Sequence, residues 1–124
     1  MAVTTTLILG AGFGGIGAAN ALRRHLPSDH RIVLIDKTPT FHIGASKPWV
    51  MLGHKAVADI SYSREALGNR GIELLQTEVR QLDLARGEVL TDRGVHRGDY
   101  LVIATSNELI VLSRNSPGTL AVKP

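Results

Sequence analysis

Apolar residues in this chain fall into runs cut by glycine-rich breaks, and the period of each run predicts its element. Val3 to Leu9 reads as a first strand whose apolar end, Leu7-Ile8-Leu9, stops abruptly at Gly10. Gly14 to Leu26 carries helical spacing, with Ala19, Leu22 and Leu26 on one face and Arg23 and Arg24 facing outward. Pro27 ends that helix and Ser28-Asp29 forms the loop after it. Arg31 to Ile35 is apolar at consecutive positions, as a parallel strand covered on both faces must be. The three elements read as one βαβ unit with a right-handed crossover.

Beyond it, Lys37 to Gly53 has no sustained period and holds the single Trp and two prolines. It reads either as a surface excursion or as a wall of a ligand site, and Trp49 either as a core anchor or as part of that wall. Ser61-Tyr62-Ser63 reads as a helix start, with one or two turns over Arg64 to Asn69 and Gly71 after them. Ile72 to Leu75 is a third strand. Gln81 to Asp83, Glu88 to Thr91 and Val95 to Arg97 are short strands separated by Arg86-Gly87 and Arg93-Gly94, which predicts an antiparallel meander. Tyr100 to Ala104 is again continuously apolar and predicts a buried central strand. Ser113 to Gly118 reads as a loop.

The break after the first strand carries the chemistry. Gly10, Gly12 and Gly15 fit G-x-G-x-x-G between a strand and a helix. Gly10 permits the tight turn, Gly12 lets a pyrophosphate approach the backbone, and Gly15 lets the helix lie close on the strand. The first N–H groups of the helix lack intrahelical acceptors and point at the anion. Asp36 ends the second strand about 20 residues past Gly15, the spacing of an acid that accepts hydrogen bonds from a ribose. As an isolated feature, Asp36 is equally the polar end of a strand facing solvent.

Composition narrows the classes. The 124 residues suffice for one domain, and 44% hydrophobic residues is ordinary for a globular one. The net charge of +3 suits an anionic cofactor, but the basic residues are scattered and form no nucleic-acid patch. The chain has no cysteine, so disulfides, thiolate chemistry and cysteine-ligated metals are excluded within it. His25, His30, His42, His54 and His96 show no metal-ligand pairing, and no Ser-His-Asp spacing is present. No run is long enough to span a bilayer, the first residues do not read as a signal peptide, and a cytoplasmic location is expected.

With these residues in view, the chain resembles the N-terminal FAD-binding part of the pyridine nucleotide-disulfide oxidoreductase superfamily. The likeness rests on Gly10-Ala-Gly-Phe-Gly-Gly15, Asp36-Lys37, Thr77-Glu78-Val79 and Asp99-Tyr-Leu-Val-Ile-Ala-Thr105. Lys47-Pro48-Trp49-Val50-Met51-Leu52-Gly53 is similar to sulfide:quinone oxidoreductases and flavocytochrome c sulfide dehydrogenases, and less like type II NADH dehydrogenases. The resemblance implies an α/β, Rossmann-like FAD-binding fold over residues 1–105, a parallel sheet with a small antiparallel meander. It implies FAD as cofactor. Gly10, Gly12, Phe13, Gly14 and Gly15 would hold the pyrophosphate, and Asp36 and Lys37 would lie at the adenosine ribose. Val79 would lie at the adenine and Ala104 and Thr105 at the flavin linker. Ser46, Pro48 and Trp49 would lie near the isoalloxazine. No residue is assigned a catalytic role.

Two departures shape the expectation. Ser106 stands where the family has glycine, and residues 106–124 read as a divergent tail, so the chain is expected to be truncated relative to the family. Three functions remain open. One is the FAD-binding portion of a sulfide:quinone oxidoreductase-like enzyme that passes electrons from a reduced donor through FAD to a quinone. Another is a non-catalytic dinucleotide-binding module or remnant. The third is a relative that takes electrons from NADH. A Rossmann half that normally packs on a partner would also expose apolar surface and favour a homo-oligomer.

Overall fold

A computed structural model describes residues 3–105, 112–116 and 119–122. β1 (Thr5–Leu9), β2 (Arg31–Asp36), β5 (Glu73–Gln76) and β9 (Tyr100–Ile103) form a parallel sheet in the order β5-β2-β1-β9. Helix α1 (Phe13–His25) is the crossover between β1 and β2. All five residues of β1 and the four from Ile32 to Ile35 are buried, because both faces of the sheet are covered. The strand period of two sorts them into two cores. Ile8, Ile32 and Leu34 face Ala19 of α1, together with Leu67 and Ile72. Leu7, Leu9, Val33 and Ile35 face Leu82 and Val89 on the other side.

Leu82 and Val89 belong to a second, antiparallel sheet. It contains β6 (Val79–Asp83), β7 (Glu88–Thr91), β8 (Gly94–Arg97), β10 (Leu112–Ser116) and β11 (Thr119–Val122), in the order β10-β11-β6-β7-β8. The predicted meander is therefore present. The fold is Rossmann-like, a four-stranded parallel sheet with its crossover helix on one face and a five-stranded antiparallel sheet on the other. Leu34 is completely buried at the centre of the first core. Leu34→Ala is expected to cost about 2–5 kcal/mol by removing apolar contact and leaving a cavity. Urea unfolding followed by circular dichroism checks this, with a lower midpoint at unchanged slope as the expected result.

Three elements differ from the sequence reading, and one alternative for Trp49 falls away. Ser61–Ser63 is strand β4, paired antiparallel with β3 (Thr40–His42), not simply a helix start. Ser63 nevertheless accepts a hydrogen bond from the Glu65 N–H and so opens the 3₁₀ turn Arg64–Arg70. β9 is an edge strand among the described residues, not a central one, with Tyr100 63% and Ile103 48% exposed. No residue of β9 is fully buried, so its continuous apolar run marked neither a covered strand nor a central one. Ser113 to Ser116, read as loop, lies in β10, where cross-strand pairing with β11 overrides weak local propensity. Trp49 is 51% exposed with its ring against His54, so it anchors no core. Ser106 lies outside the described residues.

Candidate functional site

The C-terminal ends of β1, β2 and β9 open onto a cleft of about 580 Å³. Ligands in parallel α/β sheets bind at this end, where loops leave the strands. The floor is the turn between β1 and α1. Gly10 has φ +94°, a conformation that only glycine adopts without strain. A Cβ there would lie 2.6 Å from the Ala104 carbonyl oxygen at the end of β9. The Gly10 N–H donates to the Ile35 carbonyl at 2.8 Å and the Ala104 N–H donates to the Leu9 carbonyl at 2.8 Å. The turn is thus sewn to both neighbouring strands. A Cβ on Gly15 would run into the Gly10 carbonyl, so the first turn of α1 lies directly on the loop.

Gly12 caps α1 with extended backbone, and the first helical bond runs from the Ile16 N–H to the Gly12 carbonyl at 2.9 Å. No side chain caps this terminus and no acidic residue stands in its first turn. The helix start, with its unpartnered N–H groups and positive dipole end, is open to an anion from outside the chain.

Asp36 at the end of β2 turns back onto this loop. Its Oδ2 accepts from the Ala11 N–H at 2.8 Å. Its Oδ1 accepts from the Thr38 N–H at 2.9 Å and from the Thr38 hydroxyl at 3.1 Å. Arg64 completes the arrangement. Its side chain is 7% exposed, and its Nη1 lies 3.4 Å from Asp36 Oδ1. Arg64 Nε donates to the Ala11 carbonyl at 2.8 Å. Nη1 is shared among the Thr38 carbonyl at 2.8 Å, the Thr38 hydroxyl at 2.7 Å and the Thr40 carbonyl at 2.8 Å. The guanidinium also lies over the Phe41 ring, 5.7 Å from its centroid.

The cleft brings together Gly10, Gly12, Phe13, Asp36, Lys37, Val79, Ala104 and Thr105 of the residues marked by sequence. Gly14 and Gly15 lie in the first turn of α1 beneath it. Ser46, Pro48 and Trp49 do not line it; their neighbour Lys47 does, from the short helix α2 (Lys47–Met51). The segment after β2 proves to be both things the sequence left open. Thr38, Thr40, Phe41, His42 and Gly44 form a wall of the cleft, while residues 44–59 bury no side chain. Phe13 packs edge-on against Phe41 with ring centroids 5.0 Å apart. Sequence reasoning missed Arg64, Thr38 and Phe41 as site residues. Local pattern gives no sign of a buried arginine, because its acceptors lie 24–53 positions earlier in the chain.

Chemically, the cleft pairs an open helix start and the cations Lys37 and Lys47 with apolar walls from Leu9, Ile35, Leu82 and Ile103, the Arg64 guanidinium being taken up by Ala11, Asp36, Thr38 and Thr40 of the chain itself. That combination suits a long ligand with an anionic middle and flat apolar parts. No helix among the described residues is long and apolar enough to cross a membrane.

Comparison with known proteins agrees with this geometry. The family model for pyridine nucleotide-disulphide oxidoreductases matches residues 4–121. A sulfide-quinone reductase of Aquifex aeolicus (strain VF5) is 33% identical over 106 residues, which cover 84% of this chain and 24% of that protein. A type II NADH:quinone oxidoreductase of Staphylococcus saprophyticus is 28% identical over 109 residues, covering 82% of this chain and 26% of that protein. The X-ray structure of the sulfide:quinone oxidoreductase from A. aeolicus superposes with a TM-score of 0.81 at 30% identity, over 93% of this chain and 27% of that one. The chain thus spans about a quarter of the length of the curated relatives it matches.

Proposed function

The chain belongs to the pyridine nucleotide-disulphide oxidoreductase family, and from that premise we propose that it is the FAD-binding portion of a flavin-dependent oxidoreductase of sulfide:quinone type. The observation that carries the proposal is the glycine cradle. Gly10 at φ +94° and Gly15 against the Gly10 carbonyl leave a loop that a Cβ would fill, beside a helix start with no acid of its own. In this reading Gly12 to Gly15 donate N–H groups to the pyrophosphate. Asp36 Oδ2 has one acceptor site committed to Ala11 and keeps another for a ribose hydroxyl. Val79 borders the adenine, and Ala104 and Thr105 border the flavin linker. Residues 1–105 carry the site.

When bound, FAD supplies the two-electron chemistry between a reduced sulfur donor and a quinone. This chain binds and orients the cofactor and excludes water from its adenosine half. The likeness to a type II NADH:quinone oxidoreductase favours a second reading, in which NADH is the electron donor. A third reading is a dinucleotide-binding module without turnover.

Incubation with FAD, desalting and a visible absorption spectrum test the binding step. Flavin bands that travel with the protein are expected, and a colourless protein overturns the proposal. Anaerobic addition of donor then separates the readings. Bleaching by sulfide supports the first, bleaching by NADH the second, and a bound flavin that neither donor reduces the third.

A further inference from the structure

We infer that Arg64 is a positioning residue for nucleotide binding, which sets the direction in which the Gly12 N–H points. The inference rests on the nucleotide reading above and adds to it a residue outside the glycine motif. Arg64 Nε holds the Ala11 carbonyl at 2.8 Å. No peptide bond among the described residues is cis. In a trans peptide the carbonyl and the following N–H point in opposite directions. A guanidinium that draws the Ala11 carbonyl into the protein therefore turns the Gly12 N–H the other way, outward from Arg64.

The preceding peptide is fixed as well, since the Ala11 N–H is held by Asp36 Oδ2 at 2.8 Å. Two oppositely charged side chains thus grip the two peptide groups flanking Ala11, and Ala11 itself is fully buried between them. The grip matters because of the glycines. A loop with glycine on both sides of Ala11 flips its peptide planes cheaply, as glycine has no Cβ to oppose the rotation. Residues that let a phosphate approach also leave the donor free to turn away, and a lock must come from elsewhere in the chain.

Arg64 is suited to that role. It is buried, and its fork reaches the Ala11 carbonyl through Nε while Nη1 is anchored on Thr38 and Thr40. Lysine has one nitrogen and cannot span both sets of acceptors. Arg64 therefore touches no ligand in this account and acts through the Ala11-Gly12 peptide.

The test uses the full chain, ADP as the probe, and the variants Arg64→Lys and Arg64→Ala. In the ligand-free protein, the Gly12 amide cross-peak in a ¹⁵N–¹H spectrum reports the peptide directly. It is expected to be single in the parent and shifted or split in Arg64→Lys. By calorimetry, Arg64→Lys is expected to bind ADP roughly 10- to 100-fold more weakly, the loss of one aligned charge-assisted hydrogen bond. Methylguanidinium is expected to restore both readouts in Arg64→Ala, which a general loss of packing would not allow. Arg64→Lys keeps the charge and most of the side-chain volume, so it decides the matter if Arg64→Ala does not fold. An unmoved Gly12 amide in Arg64→Lys, or parental ADP affinity in that variant, overturns the inference. A parent protein that binds no ADP instead overturns the nucleotide reading, and the ligand-free Gly12 amide still judges Arg64.

Discussion

Gly15→Ala is expected to abolish cooperative folding, or to leave a protein too unstable to purify in its native state. The added methyl has nowhere to go. It would run into the Gly10 carbonyl, and the next atom beyond is Cγ2 of Ile8, a fully buried residue of β1. Gly10 cannot retreat, since it stands at φ +94° against the Ala104 carbonyl and is hydrogen-bonded to Ile35. Relief requires lifting α1 off the sheet, which separates Ala19 from Ile8, Ile32 and Leu34 in the first core. We expect a loss above about 4 kcal/mol, the range reserved for overpacking and broken cores. A domain of this size has a total stability of about 5–15 kcal/mol, so little would remain. Gly17→Ala is the matched control. Gly17 lies on the same helix where an added Cβ meets open space, and Gly17→Ala is expected to stabilise by about 0.5–1 kcal/mol through helix propensity. Thermal unfolding of the three proteins by circular dichroism checks both. A Gly15→Ala protein melting like the parent would show that α1 is not seated on the loop as described.

The same contacts explain what could be read from sequence. β1, α1 and β2 were legible because one short stretch changes period from strand to helix and back, and because G-x-G-x-x-G constrains backbone close to itself in sequence. The meander was legible from its turn residues. Arg64 was not, since a buried arginine looks like any other charged residue until the chain brings Ala11, Thr38 and Thr40 to it. The position of β9 at a sheet edge was hidden for a related reason. An apolar run suggests a covered strand, but cover and neighbours both depend on strand order, which no local pattern encodes, and β9 at its edge buries no residue fully. Of the two readings of Trp49 the core anchor fails, since the ring is half exposed on a segment that buries nothing. Asp36 was found, but only part of its setting. Its spacing marks it for a ribose, yet three of its hydrogen bonds go to Ala11 and Thr38 in the protein itself.

Gly12→Ala is expected to give the opposite result from Gly15→Ala, a folded protein that has lost its cofactor. Gly12 is the cap of α1 at φ −87° and ψ −161°, extended backbone open to any residue. Alanine there costs at most about 1 kcal/mol in capping, so the far-ultraviolet spectrum and the cooperative melt should survive. Its methyl would stand at the helix start, where the proposed pyrophosphate meets the N–H groups. Displacing the phosphates breaks two or more charge-assisted hydrogen bonds at about 1.5–3 kcal/mol each, a loss of roughly 100-fold or more in affinity. FAD retained after desalting, set beside the melting curve of the same sample, separates binding from folding. Asp36→Ala should fall between, with FAD weakened but still detectable, because the phosphate donors of α1 remain while the Ala11 N–H and Arg64 lose an acceptor. If Gly12→Ala retains FAD as firmly as the parent, the pyrophosphate does not lie on this loop, and the assignment of the cleft fails with it.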